Sequence, residues 1–129
     1  MQSTEVYLAH LAHLVSLILY IGSLVVWLRS LVKGGRGSDP SVAFGLASLG
    51  VLIHVYALIV FTSLYHQLPL TGIGPSLSSL ALVIGLALLG TIVFGEGRRV
   101  GIVVIPVMIF FETVAVVLGV EPSFEVMDF

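Results

Sequence analysis

Apolar residues fill this chain in four long blocks, separated by short polar segments, and no block alternates with the two-residue period of a strand. The blocks cover about residues 7–28, 42–65, 75–94 and 101–120. Each holds ~20 residues or more, enough at about 1.5 Å per residue to cross a hydrocarbon core of about 30 Å. They are about twice as long as barrel strands, and backbone groups in lipid must bond within their own segment. The pattern therefore predicts an all-α integral membrane protein, a four-transmembrane-helix bundle forming one domain over residues 1–129.

The polar segments set the turns. Arg29 to Asp39 contains Gly34, Gly35 and Gly37, and a helix start is expected at Pro40 or Ser41. His66 to Gly74 carries Pro69 and Gly72, and Pro75 and Ser76 are expected to open the third helix. Gly95 to Arg99 reads as a tight reverse turn that makes helices three and four antiparallel neighbours. Pro106, one turn inside the fourth block, removes a backbone donor and predicts a local kink. Ala43 with Ala47, and Ala81 with Gly85, are small pairs four apart that let helix backbones approach closely.

Charge adds orientation. Arg29, Lys33 and Arg36 follow the first block, and Arg98 and Arg99 lie between the third and fourth. Short loops rich in Lys and Arg stay cytoplasmic, so both termini are expected on the outer side of a cell (inner) membrane. The acidic residues Glu121, Glu125 and Asp128 then lie outside. The basic loops read as contacts to anionic lipid headgroups, and no nucleic-acid partner is implied. Hydrophobic residues make up 58% of the chain and charged ones 9%, a balance foreign to soluble domains. The first block reads as a span and not as a cleaved signal peptide, since its basic residues follow it. With no cysteine there are no disulfides, thiolate metal sites or CxxCH-attached haem.

Two ionisable residues fall at membrane depth, where an acid at the helix centre costs about 2.5–3.5 kcal/mol on insertion scales. His54 and Glu112 lie about 16 Å and about 12 Å from the outer ends of their helices by helical rise, so they can meet across the bundle. Such a pair is either a proton-sharing couple or two separate helix-holding polar groups. His10, His13 and His66 are expected together at the outer surface, as interfacial anchors or as ligands to a metal or a haem edge. His13, Tyr20 and Trp27 recur every seven residues, with Leu17 and Leu24 between them, and read as a packing seam.

In order, the chain shows His13-x3-Leu17-x2-Tyr20 closing on Trp27 and Arg29, then Gly50-Val-Leu-Ile-His54, then Ser76-Leu77-Ser78-Ser79-Leu80-Ala81, then a buried proline in Val104-Ile105-Pro106. Over about residues 8–120 this resembles the amino-terminal half of the CcsA/ResC/CcmC-type cytochrome c assembly proteins, particularly their HemX-like branch. The resemblance implies haem handling at the outer face of an energy-transducing membrane, with His54 as a haem b ligand. The family's tryptophan-rich outer segment has no counterpart, since Trp27 is the one tryptophan. The resemblance therefore implies half of a split system, with a partner membrane protein carrying that platform, or a homo-oligomer. Glu112 has no assigned counterpart. Two other functions stay open: a structural accessory subunit of a larger membrane complex, and a small proton-coupled carrier using His54 and Glu112. No nucleophile–base constellation or phosphate loop points to an enzyme.

Overall fold

The computed structural model of the protein is all-helical and describes residues 2–32, 39–66, 68–70, 72–93 and 97–119. Its helices are α1 (Gln2–Val32), α2 (Asp39–Tyr65), α3 (Ile73–Val93) and α4 (Gly97–Leu118). Lys33, Arg36, Gly95 and the acidic tail residues Glu121, Glu125 and Asp128 lie outside the described residues, as do the side chains of Arg98 and Arg99. Val6–Val32, Ser41–Tyr65 and Ile73–Thr91 are each long and apolar enough to cross a membrane, whereas the apolar part of α4, Val103–Leu118, is shorter. The helix starts at Asp39 and Ile73 fall slightly before those expected from Pro40 and Pro75.

The bundle is apolar outside, and its interior combines polar and small residues with one apolar cluster that includes Trp27, Leu88, Ile105 and Met108. Ile18, Leu52, Ile59, Val83, Val103 and Phe110 are each at least 60% exposed, while His54 and Glu112 are fully buried. That inversion suits a hydrocarbon surrounding, which solvates leucine as well as a protein core does. Buried positions follow alternating steps of three and four residues in every helix. In α1 they are His13, Ser16, Tyr20, Ser23, Trp27 and Ser30; in α2 they are Ala43, Ala47, Gly50, His54, Ala57 and Phe61. The same steps join Ser78, Ala81, Gly85 and Leu88 in α3, and Gly101, Ile105, Met108, Glu112 and Ala115 in α4. A repeat of 3.5 residues keeps one seam facing the neighbours along a whole helix. The helices form a ring in chain order, α1 against α2 and α4, and α3 against α2 and α4.

Small residues set how closely the helices approach. A Cβ on Gly50 would lie 2.8 Å from the Tyr20 ring, and one on Gly74 would overlap the carbonyl oxygen of Gly119. Ser16 and Ser23 donate to the carbonyls of Gly50 (3.1 Å) and Ala43 (2.7 Å), tying α1 to the α2 backbone. α4 continues through Pro106, whose side chain faces outward, so the expected buried proline is corrected. It falls one residue past the seam position Ile105, which rotates it about 100° away from the interior.

The loop between α2 and α3 is pinned by polar bonds. Ser76 donates to the Leu70 carbonyl (2.9 Å) and Ser79 to that of Pro69 (2.6 Å). His66 closes α2 at a left-handed φ of 54°, its N–H bonding the Thr62 carbonyl at 2.9 Å. Glycine is the usual residue for that closing turn, and Gly119, at φ 100°, ends α4 in the same way.

Candidate functional site: a buried polar layer

Each helix contributes one side chain to a single layer, and all four are buried: His13 from α1, His54 from α2, Ser78 from α3 and Glu112 from α4. Tyr20, two turns along the α1 seam from His13, joins them from the side. The seam spacing explains the convergence, because each residue occupies an inward position of its own helix.

Glu112 is the hub. Its Oε1 lies 2.7 Å from His13 Nδ1, and its Oε2 lies 3.0 Å from His54 Nε2. The Ser78 hydroxyl donates to Oε2 at 3.0 Å and sits 2.8 Å from His54 Nε2 and 3.4 Å from His13 Nδ1. The Tyr20 hydroxyl lies 3.0 Å from His54 Nδ1, so both nitrogens of that ring are engaged. The His13 and His54 rings meet edge-on with centroids 5.6 Å apart. With Glu112 ionised, His13 donates from Nδ1 and Ser78 from its hydroxyl. His54 then donates from Nε2 and accepts from Tyr20 at Nδ1. Every one of these atoms has a partner, as groups at this depth require.

His54 and Glu112, which sequence depth placed within reach, are thus in direct contact. The expected outer cluster of three histidines does not form. His10 and His66 are exposed, whereas His13 is 1% exposed and bonds Glu112. Residues three apart on a helix differ by about 60° in direction, enough to turn His10 outward while His13 occupies the seam. His66 instead closes α2. Ser78 and Tyr20 carry site contacts that depth alone does not reveal. Tyr20 shares its seven-residue spacing with His13, and Ser78 lies in the seam register of Ala81 and Gly85.

The chemistry is that of a closed, hydrogen-bonded layer. Ser78, His54 and Glu112 have the residue types of a hydrolytic triad but not its geometry. In a triad the acid orients the histidine through the nitrogen opposite the serine; here Ser78 and Glu112 share Nε2, and Tyr20 holds Nδ1. Haem on His54 does not fit this arrangement either. A macrocycle needs an open slot beside the ligating nitrogen, and both ring nitrogens face hydrogen-bonded side chains from the other three helices. Compared with known proteins, the chain matches no family model, no curated protein and no solved structure.

Proposed function

We propose that this chain is a non-catalytic, multi-pass membrane subunit of the haem-handling machinery of cytochrome c assembly. It lies in the inner membrane with its basic loops cytoplasmic and both termini outside, as the distribution of Lys and Arg directs. A partner membrane protein bearing a tryptophan-rich outer segment holds the haem, and this chain supplies a locked four-helix support. The haem context comes from the ordered sequence pattern of His13, Tyr20, His54, the Ser76–Ala81 run and Pro106. The supporting role is carried by one observation: the layer at His54 is closed on itself, with a side chain from each helix and none directed to an open cavity.

Two measurements test this. Loss of the chain should remove covalently bound haem from c-type cytochromes, read by haem staining of membranes. The chain purified alone in detergent should show no Soret band. Unchanged c-type haem sinks the assembly reading, and a stoichiometric Soret band in the lone chain returns haem to His54. Reporter fusions after Lys33 and Arg98 should read cytoplasmic, and those after Leu70 and Ser123 external. A cytoplasmic carboxyl terminus contradicts the orientation.

The proton-carrier reading has one observation in its favour, the run of hydrogen bonds from Tyr20 through His54, Ser78 and Glu112 to His13. Proton uptake into vesicles that Tyr20→Phe stops would favour it.

A further inference from the structure

We propose that His13, His54 and Glu112, with Ser78 as fourth donor, form an intramembrane site for a divalent transition-metal cation of the zinc class. His13 Nδ1, His54 Nε2 and a Glu112 carboxylate oxygen all lie within 4.8 Å of one another. Ser78 Oγ lies among them, at 2.8 Å from His54 Nε2, 3.0 Å from Glu112 Oε2 and 3.4 Å from His13 Nδ1. Metal–donor bonds of about 2.0–2.1 Å in a tetrahedron place donors about 3.3 Å apart. The observed separations bracket that value, so the short contacts open slightly and the widest pair, within 4.8 Å, draws in to complete the polyhedron.

Three further features point to a cation. Glu112 places a buried carboxylate in the bundle interior. Among the described residues the only groups near it able to carry positive charge are the two imidazoles, and the Arg29 side chain is exposed. A bound divalent cation pairs with that carboxylate, and the one positive charge left over is solvated by the imidazole and hydroxyl donors that fill its coordination. The donor set of two imidazoles, a carboxylate and a hydroxyl, without thiolate, suits zinc, cobalt or nickel and disfavours copper(I). Tyr20 adds the outer contact such sites use: when a metal takes Nε2, the His54 ring proton moves to Nδ1, and the Tyr20 oxygen 3.0 Å away accepts from it and fixes the ring. A bare ion needs only a slight opening of these hydrogen-bonded contacts, which is why it fits where a macrocycle does not.

The site goes beyond the assembly role and does not rest on it, because it is read from the purified chain without any partner or haem. The test uses the full chain in detergent, stripped with a chelator and titrated with Co2+. One Co2+ per chain should bind with the intense visible bands of a four-coordinate ion, and Zn2+ should displace it. Glu112→Gln should abolish the bands, and His10→Asn, an exposed histidine, should leave them unchanged. Tyr20→Phe should weaken binding about 10–100-fold, as for a residue that positions a ligand. Ser78→Ala should retain Co2+ with altered bands as water replaces the hydroxyl. These last two variants each remove one hydroxyl and keep the ion pairs, so they report even if the Glu112 change unfolds the bundle. Absence of one-to-one binding overturns the proposal and leaves a layer holding only protons. Bands unaffected by both Tyr20→Phe and Ser78→Ala, or lost in His10→Asn, place the metal elsewhere and overturn it too.

Discussion

The two helical hairpins are held by different means. Between α1 and α2 the seam is made of serines, alanines and Gly50, with serine hydroxyls donating to backbone carbonyls and the Tyr20 ring lying against Gly50. Between α3 and α4 it is largely apolar, with Leu88, Ile105 and Met108 in one buried cluster and the Gly74 and Gly119 backbones touching at the open end of the hairpin. The first hairpin trades apolar contact for hydrogen bonds, and the second relies on close steric fit. Both modes also reach between the hairpins, with Trp27 against Gly101 and Val51 against Gly85. The polar layer adds a hydrogen-bonded link, since His13, Tyr20 and His54 belong to one hairpin, Ser78 and Glu112 to the other, and both histidine–carboxylate contacts cross between them. For helices this apolar on the outside, a hydrocarbon surrounding would gain little from burying leucine, and such cross-links would then carry much of the specificity of assembly.

The comparison can be broken most sharply at its hub. Glu112→Leu strands two histidines at once and should destabilise the bundle by about 3–5 kcal/mol, measured by thermal unfolding in detergent. A loss below about 1 kcal/mol would show that the layer does not hold the hairpins together. Next comes the steric fit of the second hairpin. Gly74→Ala puts a Cβ into the Gly119 carbonyl and should cost about 1–3 kcal/mol, by prising apart the start of α3 and the end of α4. Gly85→Ala meets mainly the movable end of Met108, at 2.8 Å, and should cost less. An equal effect at the two glycines would remove the special role given to the Gly74–Gly119 approach.

The first hairpin should yield smaller effects. Ser23→Ala deletes one hydroxyl–carbonyl bond and should cost about 0.6 kcal/mol, in keeping with polar contacts in membrane helices. Smallest of all is Gly90→Ala, in α3 with no atom within 4 Å of an added Cβ. It should be neutral or stabilising by up to about 1 kcal/mol, since alanine is the better helix former. A clear loss there would mean that an unseen surface packs against that face.

Much of this was written in the chain in a form that can be read one helix at a time. Apolar block lengths gave four helices, and the seven-residue recurrence of His13, Tyr20 and Trp27 is one edge of the α1 seam. The serines between them, Ser16, Ser23 and Ser30, complete the three–four repeat and were equally visible. They go unread when a seam is sought among apolar residues, as in soluble proteins. Depth along a helix brought His54 and Glu112 together correctly, yet it grouped His13 with His10 and His66. Depth says nothing about direction around the axis. Which of Ser76, Ser78 and Ser79 enters the layer depends on how α3 is rotated against three neighbours; the other two bond loop carbonyls instead. That rotation is a property of the assembled bundle, and no local pattern encodes it.

The central claim is that His54 and Glu112 act as one unit joining the hairpins. A double-mutant cycle on His54→Leu and Glu112→Leu, read by stability in detergent, measures it directly. Either change alone leaves buried polar groups without partners, and the pair together should recover part of the loss, with a coupling of about 1–3 kcal/mol. Strictly additive losses would mean that the two side chains act independently, which would contradict the 3.0 Å contact on which the account of the layer rests.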